Sequence, residues 1–202
     1  MEVLRYALVA VAGYLMGSFP TGLVAARALK GVDPRRHYSG RTGGTNILRS
    51  AGRGAALLTV VGDFIKGLLP VLLARAVVGT DAAAVVAGLA AVEGHNHSIF
   101  LRFRGGAGSM TNAGVVMALA PHVVPFMAAA AFVAARLSRT ASVTSMVAAA
   151  TMAVTLIASF LLSLSPAAYA VYGVLACALI IFELRKNIER LRNGTERRVE
   201  HF

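Results

Sequence analysis

The feature that most constrains this chain is an alternation. Apolar stretches long enough to cross a membrane are separated by short segments rich in glycine, hydroxyl side chains and arginine. A hydrocarbon core about 30 Å thick needs about 20 helical residues. Residues 4 to 28, 55 to 79, 82 to 100, 109 to 138, 141 to 163 and 167 to 183 supply runs of about that length or longer. With 57% hydrophobic and 14% charged residues in a chain of 202, an ordinary soluble domain is excluded. The whole chain therefore reads as one polytopic, all-α membrane domain. The formal charge of +11 does not read as nucleic-acid affinity, because the basic residues sit between apolar runs and are not spread over a solvated surface. That is the cytoplasmic bias of membrane loops, with anionic lipid or phosphorylated substrates as the expected partners. Cys177 is the only cysteine, so neither a disulfide framework nor a cysteine metal cluster is available, and no metal or cofactor is expected. Arg5 followed by an apolar run resembles a signal peptide, but the run is too long for one and is read as a retained helix.

In chain order, helix one (4 to 28) contains Gly17-Ser18-Phe19-Pro20-Thr21-Gly22, where the proline removes a donor and predicts either a kink or a cavity-lining break. Helix two (55 to 79) carries Asp63 and Lys66 three residues apart, on one face, where they can neutralise each other. Such a face should point into the bundle, and a structural ion pair is the first expectation for it. Helix three (82 to 100) ends in Glu93-Gly94-His95-Asn96-His97-Ser98. The stretch from 109 to 138 looks like one span, yet a single crossing would put Arg102 and Arg104 opposite Arg136 and Arg139. Positive loops belong on one side, and Ala120-Pro121-His122 offers a break, so two short helices, four and five, are expected. Helix six (141 to 163), a turn at Ser163-Leu164-Ser165-Pro166, helix seven (167 to 183) and a charged, amphipathic tail from Arg185 to Phe202 complete seven transmembrane helices. This arrangement puts 17 of the 20 basic residues at one face, with the N-terminus outside and the C-terminus and motif loops cytoplasmic.

Three polar segments are expected to meet at that face: 37 to 53, 95 to 112 and 185 to 198. The first two lead through glycines and hydroxyls into the N-terminus of a helix, where unpaired amides and the helix dipole favour an anion. Arginines beside them suit bidentate phosphate contacts. For Ser39 to Arg53, the alternative is a basic linker between two helices. Several chemistries are excluded. No histidine is followed by an aspartate at the His-x4-Asp spacing, which removes that type of glycerolipid acyltransferase, and there is no phosphate-binding Gly-x4-Gly-Lys-Ser/Thr loop, His-Glu-x-x-His helix or Gly-x-Ser-x-Gly elbow. A reaction here would depend on positioning and charge stabilisation.

The ordered series Gly17 to Gly22, Lys30-Gly31-Val32-Asp33, Ser39-Gly40, Gly43 to Arg49, Gly62 to Gly67, Gly94-His95-Asn96, Phe100 to Gly106, Asn187 to Leu191 and Gly194-Thr195-Glu196 resembles the acyl-phosphate-dependent glycerol-3-phosphate acyltransferases of bacteria, the PlsY family. The resemblance implies seven membrane helices and transfer of an acyl group from acyl phosphate to the 1-hydroxyl of glycerol 3-phosphate, giving lysophosphatidate for phospholipid synthesis in the cell membrane. It implies catalytic roles for Ser39, Arg49, His95 and Asn187, with Ser39 and Arg49 at the substrate phosphates. Substrate contacts are implied for Gly40, Arg41, Gly43, Thr45 and Asn46 in the first loop, for Arg104, Gly105, Gly106 and Gly108 in the second, and for Ser142 and Glu196. Contact with the enzyme that makes the acyl phosphate is a further implied partnership.

The chain departs from the family pattern where Ala107 replaces a lysine, where Arg41 stands for a common asparagine, where Lys186 precedes Asn187 in place of glutamate, and where a usual histidine is absent near Leu184. These changes keep open a diverged paralogue that binds a phosphorylated lipid or substrate with altered or no transfer. A small-solute transporter fits less well, because charge gathers at one face and not along a path through the bilayer.

Overall fold

The computed structural model describes residues 2–199, and helix is the only regular secondary structure among them. The final residues of the charged tail, 200 to 202, lie outside the described residues. The helices group into two compact units that divide between Ala118 and Leu119.

In the first unit, the first helix is divided into α1 (Glu2–Ser18) and α2 (Thr21–Lys30), an interruption at the proline where the sequence predicts a kink or a break. The break falls at Phe19-Pro20, because proline has no N–H to continue the ladder. Carbonyls freed there do not stay bare: Lys66 Nζ donates to Phe19 O (3.0 Å) and Ser98 Oγ to Ser18 O (2.5 Å). The helix α3 (Gly44–Val77) starts well before residue 55, with a kink at Gly52 (φ +85°) separating its polar first turns from its membrane length. Beyond the kink α3 is built inside out. Leu57, Leu58, Val61, Ile65, Leu69 and Leu72 are exposed, while Thr59, Asp63 and Lys66 are buried. That polarity suits lipid outside and polar partners inside.

The fourth helix, α4 (Asp81–Asn96), is capped by Thr80, whose hydroxyl accepts from Ala83 N. It lies so close to α1 that a Cβ on Gly17 would collide with Ala91 O, the small-residue contact that lets membrane helices approach. It stops at Asn96, four residues short of the expected end, because the chain turns at His97 to enter the second loop. The last helix of the unit is α5 (Ser109–Leu119). Arg75, an isolated basic residue in the apolar part of α3, donates to Ala118 O (2.6 Å) at the end of α5, where cations complement the dipole.

In the second unit, a 3-10 turn at Pro121–Val123 leads into α6 (Val124–Ser138), so the expected break between helices four and five is present. Then come α7 (Ala141–Leu161) and α8 (Ala167–Glu183), packed around Met152, Leu156 and Tyr172. A short polar helix, α9 (Arg185–Arg192), is bent 58° from α8. Among the described residues, four helical stretches are long and apolar enough to cross a membrane (Glu2–Lys30, which is α1 and α2 together, Gly44–Val77, Pro121–Ser138 and Ala141–Leu161), or five if α8 and α9 count as one bent span. The sequence-based count of seven includes the shorter α4 and α5.

Candidate active site

The first loop is held by two polar side chains. Asp33 receives Arg27 Nη2 (2.9 Å), Arg35 Nε (2.9 Å), Arg35 Nη2 (2.7 Å) and the Arg35 amide (3.1 Å). The Arg35 guanidinium keeps its carboxyl well below the usual carboxylate range. Asn46, buried, donates to Pro34 O (2.9 Å) and Arg41 O (2.7 Å), and its Oδ1 accepts from Ser39 N (3.4 Å). Its carboxamide is thus committed to shaping residues 34 to 46. Around that scaffold Ser39 is exposed, its Oγ accepting from Arg41 N (3.4 Å), and Gly40 turns with φ +69°. Gly43 caps α3, and half-buried Thr45 and Arg49 follow within its first two turns.

The second loop folds back onto the end of α4. Gly105 N donates to Asn96 O (2.9 Å) and Gly106 N to His95 O (3.1 Å), so these two amides are engaged within the chain and do not face an anion. What the segment offers is its far end. Gly108 (φ +82°) caps α5, accepting Asn112 N (2.8 Å), and this puts the positive end of the α5 dipole at the end of the loop. Arg104 is exposed beside it. Thr42 N donates to Gly105 O (3.4 Å), and this bond joins the two loops that the sequence reading expects together.

Behind the loops lies a buried cluster. Asp63 Oδ1 accepts from Thr21 Oγ1 and lies 2.9 Å from Lys66 Nζ and 3.5 Å from His95 Nδ1. Arg41, half-buried, is within electrostatic reach of the same imidazole. The sequence reading singles out the Asp63–Lys66 spacing and His95 separately. It misses that they meet, since no local pattern links positions on different helices.

In the second unit, Glu196 organises the tail. Its Oε1 accepts from Ser142 Oγ (2.9 Å) and Asn187 Nδ2 (2.8 Å), and its Oε2 from Arg190 Nε (2.8 Å). Burial pushes the Glu196 carboxyl up, but the bonds from Asn187, Arg190 and Ser142 outweigh it and hold the group below the ordinary glutamate range. Lys186 points to solvent.

The family model described as glycerol-3-phosphate acyltransferase matches residues 7–194, which takes in both loops, the buried cluster and Asn187. The chain belongs to the glycerol-3-phosphate acyltransferase family. Relatives carrying that acyltransferase name include a protein of Rubrobacter xylanophilus, 45% identical over 95% of this chain and 94% of its own length. Another, from Roseiflexus sp., is 45% identical over 93% of this chain and 92% of its own. Among solved structures, PlsY (YgiH), an integral membrane glycerol 3-phosphate acyltransferase, matches in its glycerol 3-phosphate form with a TM-score of 0.87 and 34% identity, over 96% of this chain and 94% of that one. Its lysophosphatidic acid form matches with a TM-score of 0.86. This acyltransferase-family chain is an all-helical, multi-pass integral membrane protein. Glu196 lies just past the matched residues, so its contacts come from the geometry alone.

Proposed function

We infer that the chain is a membrane enzyme that transfers a fatty acyl group from acyl phosphate to the 1-hydroxyl of glycerol 3-phosphate, releasing phosphate and forming lysophosphatidate for phospholipid synthesis. The observation that carries this reading is family membership along nearly the whole chain, with relatives at 45% identity. The hydroxyl attacks the acyl carbon, the C–O bond to phosphate breaks, and the hydroxyl proton passes to a phosphate oxygen. Phosphate is a good leaving group, so the protein's task is to align two anions and to stabilise the developing oxyanion.

In this reading Ser39 and Arg49 hold substrate phosphate, assisted by the first turn of α3 at Gly43 and Thr45. Gly108 and the α5 N-terminus receive the acceptor, while Gly105 and Gly106 fix the loop's path. His95 supports that loop from behind. Arg41, half-buried near His95, takes over the cationic role left by Ala107 more readily than exposed Arg104 does. Asn187 serves the same reaction, with Ser142 and Glu196 setting its orientation.

The reading extends to topology. Seven spans are kept, with the two short helices of the 109 to 138 stretch crossing a locally thin bilayer, the N-terminus outside and the basic loops and tail cytoplasmic, as the positive-inside rule favours. Contact with the enzyme that makes acyl phosphate belongs to the same reading, since a reactive mixed anhydride is best passed on without release.

Purified protein given a long-chain acyl phosphate and labelled glycerol 3-phosphate is expected to form labelled lysophosphatidate. Arg49→Ala is expected to lower that rate by about 100-fold, the scale of losing one fixed charge contact in the transition state. Absence of product from the unmodified protein at high enzyme concentration overturns the reading.

A further inference from the structure

One carboxylate oxygen in the first unit is shared by side chains that lead to both loops. Asp63 is 2% exposed, too buried to be a surface ion-pair partner, and its Oδ1 faces Thr21 Oγ1, Lys66 Nζ and His95 Nδ1 together. Thr21 leads toward the first loop: its neighbour Gly22 packs so tightly that a Cβ there would collide with Thr42 O. His95 leads to the second: its imidazole fills the space at Gly106, where a Cβ would overlap Nε2 and come within 2.7 Å of Cε1. Thr42 and Gly105 are themselves bonded through Thr42 N and Gly105 O. The pieces form a closed circuit: Asp63 to Thr21, across Gly22 to Thr42, over to Gly105-Gly106, and through the His95 ring back to Asp63.

Neutralising Lys66 needs only a carboxylate beside it. Lys66 is in addition anchored at its other side by Phe19 O (3.0 Å). A role confined to that pair does not account for the hydroxyl and the imidazole gathered on the same oxygen. An anionic oxygen of fixed position sets how far apart Thr21 and His95 stand, and so the spacing between the loop that begins at Ser39 and the one that ends at Gly108.

We propose that Asp63 is a positioning residue that sets the gap between the two loops and thereby the affinity for the phosphorylated acceptor, touching no substrate itself. The proposal rests on the acyltransferase reading and adds to it the residue that pre-organises acceptor binding. Pre-organisation acts on affinity because a loop held in its binding geometry has less freedom left to lose when ligand arrives.

The test is steady-state kinetics of lysophosphatidate formation by full-length Asp63→Asn, Thr21→Val and the double variant Asp63→Asn/Lys66→Met, each with its folded fraction measured by size-exclusion chromatography. Asp63→Asn is expected to raise KM for glycerol 3-phosphate at least about tenfold while kcat changes by less than about threefold, the split that marks lost ground-state binding. Thr21→Val, which removes one contact and leaves every charge in place, is expected to raise KM by about threefold or more. The double variant removes the buried charge imbalance, so it is expected to recover folded yield and keep the raised KM. A purely structural Asp63 lowers the folded amount and leaves KM of the folded protein unchanged, and that result overturns the proposal. If Asp63→Asn yields no folded protein, the double variant decides by the same criterion, and Thr21→Val decides if neither folds. An unmodified protein that makes no lysophosphatidate defeats the acyltransferase reading first, which is a different outcome from an active protein with indifferent variants.

Discussion

Gly105→Ala is expected to leave about 1% or less of the unmodified protein's lysophosphatidate formation, the scale of misplacing a reacting group by about 1 Å. The added Cβ would coincide with His95 O and approach Asn96 O to 2.8 Å and His95 C to 3.0 Å. All three are backbone atoms at the end of α4, so no side-chain rotation relieves the overlap. The loop must lift, and with it go the Gly105 N to Asn96 O bond (2.9 Å) and the Thr42 N to Gly105 O bond (3.4 Å) that joins the loops. Overpacking of this kind costs about 1 to 3 kcal/mol, within what a membrane helix bundle tolerates, so folded protein should still be recovered. Gly54→Ala is the matched control. That glycine is helical and exposed, and its nearest outside neighbour is Leu29 Cδ1 at 3.8 Å. It should keep full activity, and near-normal turnover by Gly105→Ala would contradict the account of the loop given above.

The second large effect is expected at Glu196. Replacing it with alanine removes the acceptor for Ser142, Asn187 and Arg190 in one step. Hydrogen bonds to a charged group contribute about 1.5 to 3 kcal/mol each. The Arg190 arm is 36% exposed and counts for less, so a total near 3 kcal/mol is a reasonable scale, about 100-fold in the docked fraction of the tail. Trypsin should then cut at Arg197 or Arg198 far faster than in the unmodified protein, and turnover should fall with the loss of a fixed Asn187. The pH dependence has a defined sign. Because the folded carboxyl is depressed, its contribution is fully present above the unfolded-state value and is lost as pH falls through the folded one. Tail protection should therefore hold from neutral pH down to about pH 4 and fail only below it. Glu196→Gln should lack that acid-induced release, and a tail that opens equally in both proteins at low pH would remove Glu196 as the cause.

Legibility from sequence varied with the physical origin of each feature. The break at Ala120-Pro121 was readable because a proline and a charge constraint both act locally, and the Asp63–Lys66 pair because three residues is a helical spacing. The start of α3 at Gly44 was not. Thr45 to Arg53 carries Asn46, Arg49 and Arg53, and an apolar-run reading detects only long apolar stretches, so a helix whose first turns are polar escapes it. The commitment of the Gly105 and Gly106 amides to α4 was equally hidden, since glycine content alone does not say whether a loop's N–H groups face a ligand or the chain's own carbonyls. The His95–Asp63 contact joins helices by tertiary packing, for which no short motif exists.

The interrupted first helix carries a consequence for how such a chain can change over time. A proline at position 20 interrupts the ladder, and the carbonyls of Ser18 and Phe19 are met from elsewhere in the unit, by Ser98 in the second loop and by Lys66 on α3, with Thr21 N a second donor to Phe19 O. Lys66 in turn is tolerable only because it has Asp63 and that carbonyl to face. Pro20, Asp63, Lys66 and Ser98 are thus linked by the polar groups they satisfy for one another. Descendants of this chain should therefore lose or exchange Pro20, Asp63, Lys66 and Ser98 as a set, and a lineage that straightened the helix would be released from keeping any ionisable group at that depth.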